Sequence, residues 1–176
     1  MRTALNIAGV AIFVLTAAGT ALAQGSGAEA RLKQLNITLP ADQAPAANFV
    51  NSVQAGKLLF LSGNTPGGQW PLKGKVGKDL TIEQGYDSAR QTGLIMLGKI
   101  RTALGSLDRV KRVVKVLGMV NSADGFSDQP KVVNGFSDLM VEVFGEAIGK
   151  HARSAVGMAG LPGNAPVEVE MIVEVE

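Results

Sequence analysis

The chain has no cysteine, a single histidine (His151), one tryptophan and one tyrosine, and aromatic residues make up only 5% of it. Without cysteine there are no disulfides, no thiolate nucleophile and none of the commonest zinc sites. One histidine excludes a multi-histidine metal centre, so no metal is expected. Charge is also sparse: charged residues are 18% of the sequence and the formal net charge is +2. No basic patch interleaved with aromatics occurs, which argues against nucleic acid as a partner. What the sequence does have is apolar bulk, 46% of 176 residues. That is enough for one core, and one domain is the natural reading.

Met1-Arg2-Thr3 is a short positive start, Ala4 to Ala18 is almost entirely apolar, and Ala21-Leu22-Ala23 has the small-x-small spacing of a cleavage site. Residues 1–23 are therefore expected to be a secretory signal peptide, and the protein periplasmic or secreted. An uncleaved membrane anchor is the competing reading, because the apolar run approaches spanning length if Gly19 to Ala23 is included. Cutting after Ala23 removes Arg2 alone among charged groups, so 17 basic groups become 16 against 15 acidic ones. Residues 24–43 read as a linker and short N-terminal extension, in which Ala28 to Leu35 has the length for two helical turns. Residues 44–176 are expected to form the folded domain.

Two extended runs, Phe49 to Gln54 and Leu58 to Ser62, flank Ala55-Gly56-Lys57 and read as a hairpin. The following segment, Thr65 to Asp79, is rich in Gly, Pro and Lys, either a functional loop or a surface excursion. Thr81-Ile82-Glu83-Gln84 has the spacing of a capping box. Behind it Ile82, Tyr86, Ala89, Gly93, Leu97, Ile100 and Leu104 mark an amphipathic helix that Gly105 stops. Gly85, Gly93 and Gly98 inside that helix each cost about 1 kcal/mol relative to Ala, a cost best offset by close packing on a sheet. Val110 to Asn121 reads as a central strand with Val110, Val114, Val116, Gly118 and Val120 on one face. A second helix opens near Asp128-Gln129-Pro130, with Val133, Phe136, Met140, Val143 and Ala147 as its buried stripe and Gly149 at its end. Val167, Val169, Met171, Val173 and Val175 then alternate with Glu168, Glu170 and Glu174, the pattern of a half-buried strand that pairs with the segment before it. This order predicts an α+β fold: one mixed sheet, two helices packed on one face, and an opposite face that is polar or oligomeric.

Familiar catalytic motifs fail. Gly145 to His151 has three residues between its glycines where a phosphate loop needs four, and His where Ser or Thr belongs. Neither Ser62 nor Ser154 has a nucleophile-elbow context, and His151 reads as a helix-end or surface residue. Arg153 is different. It lies among small and apolar residues and cannot shed its proton to escape burial, so it needs an anion or water. One solution is an ordinary ion pair with Glu168. The other is a guanidinium fork for a substrate carboxylate, with Glu168 orienting or deprotonating a water.

From about Ala44 onward the chain resembles the RidA (YjgF/YER057c/UK114) family of enamine/imine deaminases. The resemblance is carried by Phe49-Val50-Asn51-Ser52-Val53-Gln54-Ala55-Gly56, Leu61-Ser62-Gly63, Val132-Val133-Asn134, Ala152-Arg153-Ser154-Ala155-Val156, Leu161-Pro162 and Val167-Glu168-Val169-Glu170. Gly77-Lys78-Asp79-Leu80-Thr81 and Asp128-Gln129-Pro130-Lys131-Val132 are similar to the longer-loop branch. The resemblance implies a chorismate-mutase-like fold and a homotrimer with ligand clefts between subunits. It implies hydrolysis of 2-aminoacrylate-type enamines or imines to 2-oxo acids and ammonia, with no cofactor. Arg153 would hold the substrate carboxylate and Glu168 would place the water, with Asn134, Ser62, Gly63, Phe49 and the Ala155 backbone completing the cleft. Phe49 stands where well-studied members have Tyr, and Ala155 where Cys is frequent. A trimer of this fold that binds a small carboxylate without chemistry is the alternative.

Overall fold

The computed structural model describes residues 27–45 and 47–176; the expected signal peptide lies outside the described residues. The elements are α1 Ala28–Gln34, β1 Ser52–Ala55, β2 Leu58–Asn64, α2 Ile82–Leu104, β3 Val110–Asn121, α3 Gln129–Phe144, α4 Glu146–Gly149, β4 Ala152–Met158 and β5 Val167–Val175. The strands form one five-stranded sheet in the order β1-β2-β5-β3-β4. Neighbours are antiparallel except β3 and β4, which run parallel across the α3 connection. Helices α2 and α3 cover one face, and this is the expected mixed α+β architecture.

β1 and β2 form the expected hairpin, with Ser52 opposite Leu61 and Ala55 opposite Leu58. The last two strands do not. β5 inserts between β2 and β3, so β3 separates it from β4. The physical reason is in its sequence: Val167, Val169, Met171, Val173 and Val175 are all buried against the helices, and a central position also satisfies both hydrogen-bonding edges of the strand. β3 departs from strict alternation as well. Register shifts between Val110 and Arg112 and between Val113 and Lys115 turn Val113 inward in place of the expected Val114, the effect of β-bulges.

α2 starts at Thr81, whose hydroxyl accepts from the Gln84 N–H while the Gln84 side chain accepts from the Thr81 N–H. It ends at Gly105, which is left-handed with φ 80°. Its glycines face mainly α3 and the Pro40 segment, and not the sheet: a Cβ at Gly93 would stand 2.8 Å from Leu139 Cδ2, and one at Gly98 would stand 2.7 Å from the Pro40 carbonyl oxygen. From the other side, Gly135 of α3 rests on the backbone carbonyl of Tyr86. Two helices in such contact hold their crossing rigidly, and Asn134 and Ser137 flank the contact point. The second helix breaks at Gly145, with φ 77°. Its last turn becomes α4, and Ala147 is exposed instead of joining the stripe.

The segment from Thr65 to Asp79 is bound to the body of the fold. Val76 is fully buried and its N–H donates to the Asn121 carbonyl. Lys75 Nζ donates to Asn121 Oδ1, the Ser122 carbonyl and the Ala159 carbonyl, tying together the ends of β3 and β4. The N-terminal extension is docked too: Ala28 and Leu32 are buried, and Glu29 pairs with Arg101 of α2. The opposite sheet face carries exposed Val53, Phe60, Val156 and Met158.

Candidate functional site

Arg153 sits on the edge strand β4 opposite Val116, whose side chain is buried on the helical face. Cross-strand partners share a face, so the guanidinium points toward α3. There Nη1 donates to Asn134 Oδ1 at 2.9 Å and to Ser137 Oγ at 3.0 Å, while Nη2 donates to the Pro130 carbonyl at 3.3 Å. All three acceptors are neutral. Among the described residues no carboxylate pairs with Arg153, which removes the internal ion pair with Glu168. Of the five N–H donors, Nε–H and one Nη2–H are left without a protein partner among the described residues. Those two nitrogens can be spanned side-on by a carboxylate: in this chain Glu29 does so on Arg101, at 3.0 Å from Nε and 2.7 Å from Nη2.

The support of Arg153 extends one residue further. Ser137 Oγ also lies 3.1 Å from His151 Nε2, and His151 Nδ1 lies 2.6 Å from the Gly149 carbonyl. Burial pushes the His151 pKa down; the Gly149 carbonyl opposes this and the Arg153 charge adds to it. The sequence reading placed His151 at a helix end and gave Ser137 no role. The spacing of Asn134 and Ser137, three apart on one helical face, and the two-residue step from His151 to Arg153 were the only available signals.

Glu168 belongs to a second group. On β5 it pairs with Met119, three positions along β3 from the residue opposite Arg153. An odd step reverses the face, so Glu168 projects to the open side of the sheet while Arg153 projects to the helical side. β3 lies between them, which puts the two backbones about 10 Å apart across the sheet alone. Glu168 is half-buried, and burial, then the neighbouring Glu170 charge, raises its pKa above the usual carboxylate value. Its carboxylate presses on Gly63, where any Cβ would collide with Oε1. Ser62, one residue before, donates to the Val50 carbonyl at 2.6 Å.

Phe49 and Ser62 line a concavity of about 630 Å³ on the open face, together with Lys115, Ser154 and Glu170. Neither Arg153 nor Glu168 lines it. Ala155 is partly buried against the core, opposite Gly118. One chain thus brings Arg153 to Asn134, Gly63 to Glu168, and Phe49 to Ser62. It does not bring the arginine and the glutamate together. Among the described residues no cluster of His, Asp or Glu could hold a metal ion.

A mixed five-stranded sheet with two helices on one face, its parallel edge strand carrying an arginine held by three neutral acceptors, is a chorismate-mutase-like α+β architecture. The chain belongs to the YjgF (RidA) family: residues 29–175 match the family described as "YjgF/chorismate mutase-like, putative endoribonuclease". It is similar to protein TCP17 of Trypanosoma cruzi, 48% identical over 149 residues that span 82% of this chain and 92% of that protein. It is also similar to a 2-iminobutanoate/2-iminopropanoate deaminase of Dermatophagoides farinae, 30% identical over 145 residues, 80% of this chain and 95% of the relative. The crystal structure of an Agrobacterium tumefaciens protein of unknown function superimposes with a TM-score of 0.76 at 40% identity, covering 84% of this chain and 91% of that one.

Proposed function

We propose that this chain is an exported RidA-like enamine/imine deaminase of the longer-loop branch, acting in the periplasm or outside the cell as a homotrimer with clefts between subunits. The observation that carries the reading is the Arg153 guanidinium, fixed by three neutral acceptors with two donors left open among the described residues. The resemblance of the D. farinae deaminase supports the reaction class. The apolar residues on the uncovered sheet face support assembly. The position of Arg153 and Glu168 on opposite faces supports a cleft shared by two chains.

In this mechanism Arg153 holds the substrate carboxylate and leaves the adjacent C=N carbon facing the neighbour's Glu168. The glutamate takes a proton from water as the oxygen bonds to that carbon. It passes that proton to the nitrogen, giving a carbinolamine, and then carries the carbinolamine hydroxyl proton to the same nitrogen as the C=O forms and the C–N bond breaks, giving a 2-oxo acid and ammonia. Its raised pKa suits a group that must both accept and release a proton. No cofactor enters the scheme. The test is ammonia release from freshly generated 2-aminoacrylate, expected from the intact protein and lost in Arg153→Ala and Glu168→Gln. Release no faster than buffer from a folded trimer would remove the activity.

A second reading, a small-carboxylate-binding protein without chemistry, is favoured by Phe49, which supplies no hydroxyl, and by Ala155 in place of cysteine. Thermal stabilisation by 2-oxo acids that needs Arg153 but comes with no turnover would select it.

A further inference from the structure

Resting on the carboxylate-binding reading of Arg153, we propose that Ser137 and His151 are positioning residues that tie the anion affinity of Arg153 to pH. The direction of every hydrogen bond in the line is fixed by chemistry. The Gly149 carbonyl can only accept, so His151 Nδ1, 2.6 Å away, carries the ring proton. A neutral ring then has a bare Nε2, and Ser137 donates its hydroxyl hydrogen to it across 3.1 Å. The Ser137 oxygen in turn accepts from Arg153 Nη1 at 3.0 Å. Arg153, Ser137, His151 and Gly149 thus form a one-way line.

Protonation of His151 reverses one link. Nε2 gains a hydrogen and becomes a donor, so Ser137 must accept from both neighbours and its own hydrogen is released. The same event sets an imidazolium beside the Arg153 guanidinium. Other charged groups on the surrounding elements are engaged elsewhere. Asp138 accepts from Tyr86 and Glu142 from Arg90, Glu146 pairs with Lys150 and Asp128 with Lys131, and Lys115 turns to Ser154 on the far face. Among the described residues, Arg153 is the charge that acts on the ring. A carboxylate bound to Arg153 therefore relieves the repulsion that disfavours the protonated ring. By reciprocity, the protonated ring tightens carboxylate binding. For a partly solvated pair the low end of typical couplings applies, about fivefold, equivalent to a His151 midpoint shift of about 0.7 pH unit.

His151 is the sole histidine of the sequence, so its ring nitrogens can be followed without assignment in the 15N-labelled protein. The expected result is an Nδ1–H tautomer at pH 8 and an Arg153 Nε–H resonance that moves with the His151 midpoint. This coupling is weakened in Ser137→Ala, which keeps the charge pair but removes the hydroxyl link, and kept in Ser137→Thr. Benzoate, titrated from pH 8 to 5 with Arg153→Ala as the non-binding control, gains affinity as the ring protonates, with about fivefold as the limit. An Nε2–H tautomer, or an Arg153 signal that ignores the titration or follows it equally in Ser137→Ala, overturns the proposal. Benzoate that binds through Arg153 with the same affinity at every pH overturns it while sparing the carboxylate reading. Benzoate that never binds overturns both.

Discussion

Replacing Gly135 by alanine tests the contact that sets α3, and with it Asn134 and Ser137, against α2. In an unconstrained helix the change would gain about 1 kcal/mol from propensity. Here the new methyl would press into the Tyr86 carbonyl oxygen, with the carbonyl carbon at 2.8 Å and the ring Cγ at 3.1 Å. A backbone carbonyl inside a helix cannot rotate away, so the helices must part. Overpacking costs about 1–3 kcal/mol, and a rigid obstacle belongs in the upper half of that range. The net loss is then about 1–2 kcal/mol, a fall in Tm of about 2–8 °C for a chain of this size. Gly93→Ala is the matched control. Its Cβ would meet side chains and no backbone, Leu139 Cδ2 at 2.8 Å, Phe136 Cδ2 at 3.3 Å and Met140 Cε at 3.4 Å. Repacking cost and propensity gain nearly cancel there. Urea unfolding of both variants at one fixed protein concentration, needed because assembly would shift the midpoint, gives the comparison. Gly135→Ala as stable as the parent, or Gly93→Ala the worse of the two, would refute the reasoning.

Gly63→Ala displaces the end of a flexible side chain, so its stability should stay within about 1 kcal/mol of the parent; under the proposed deaminase reading turnover falls with the misplaced Glu168, and unchanged turnover would detach Glu168 from the proposed chemistry. Glu168 has a folded pKa raised by burial, so protonation favours the native state: its contribution is full below about 4.5 and lost as pH rises through the folded value. Glu168→Gln is expected to flatten that part of the stability profile and to raise stability at pH 7, read by urea midpoints across pH. Glu29 behaves oppositely. Burial pushes its pKa up, but the Leu107 N–H and Arg101 outweigh this and leave it lowered, so its contribution is present above about 4.5 and lost as pH falls through the folded value. Glu29→Ala should cost roughly 1–2 kcal/mol, since it also orphans the Leu107 N–H, and the loss should shrink in acid to the part owed to that hydrogen bond, which a protonated carboxyl still accepts.

Much of the fold is legible from local pattern, because each of those features depends on near neighbours. The Thr81 to Gln84 box, the Gly105 stop and the period-two run of β5 concern residues a few positions apart, and all appear where expected. Val113 replaced Val114 inside β3 because a bulge is a property of two paired strands, invisible in one. Ala147 left the core because Gly145 took a positive φ, which a glycine permits but does not require.

The sequence by itself determined the kinds of element, their order, the apolar faces and the residue types of the proposed site, since propensity and periodicity act over a single turn or strand. Only the tertiary structure decided that β5 enters the centre of the sheet. That insertion sends Arg153 and Glu168 to opposite faces, and the helix crossing at Gly135 carries Ser137 to the guanidinium and to His151. These placements come from which surfaces bury best against one another across the whole chain, and no local stretch encodes that choice.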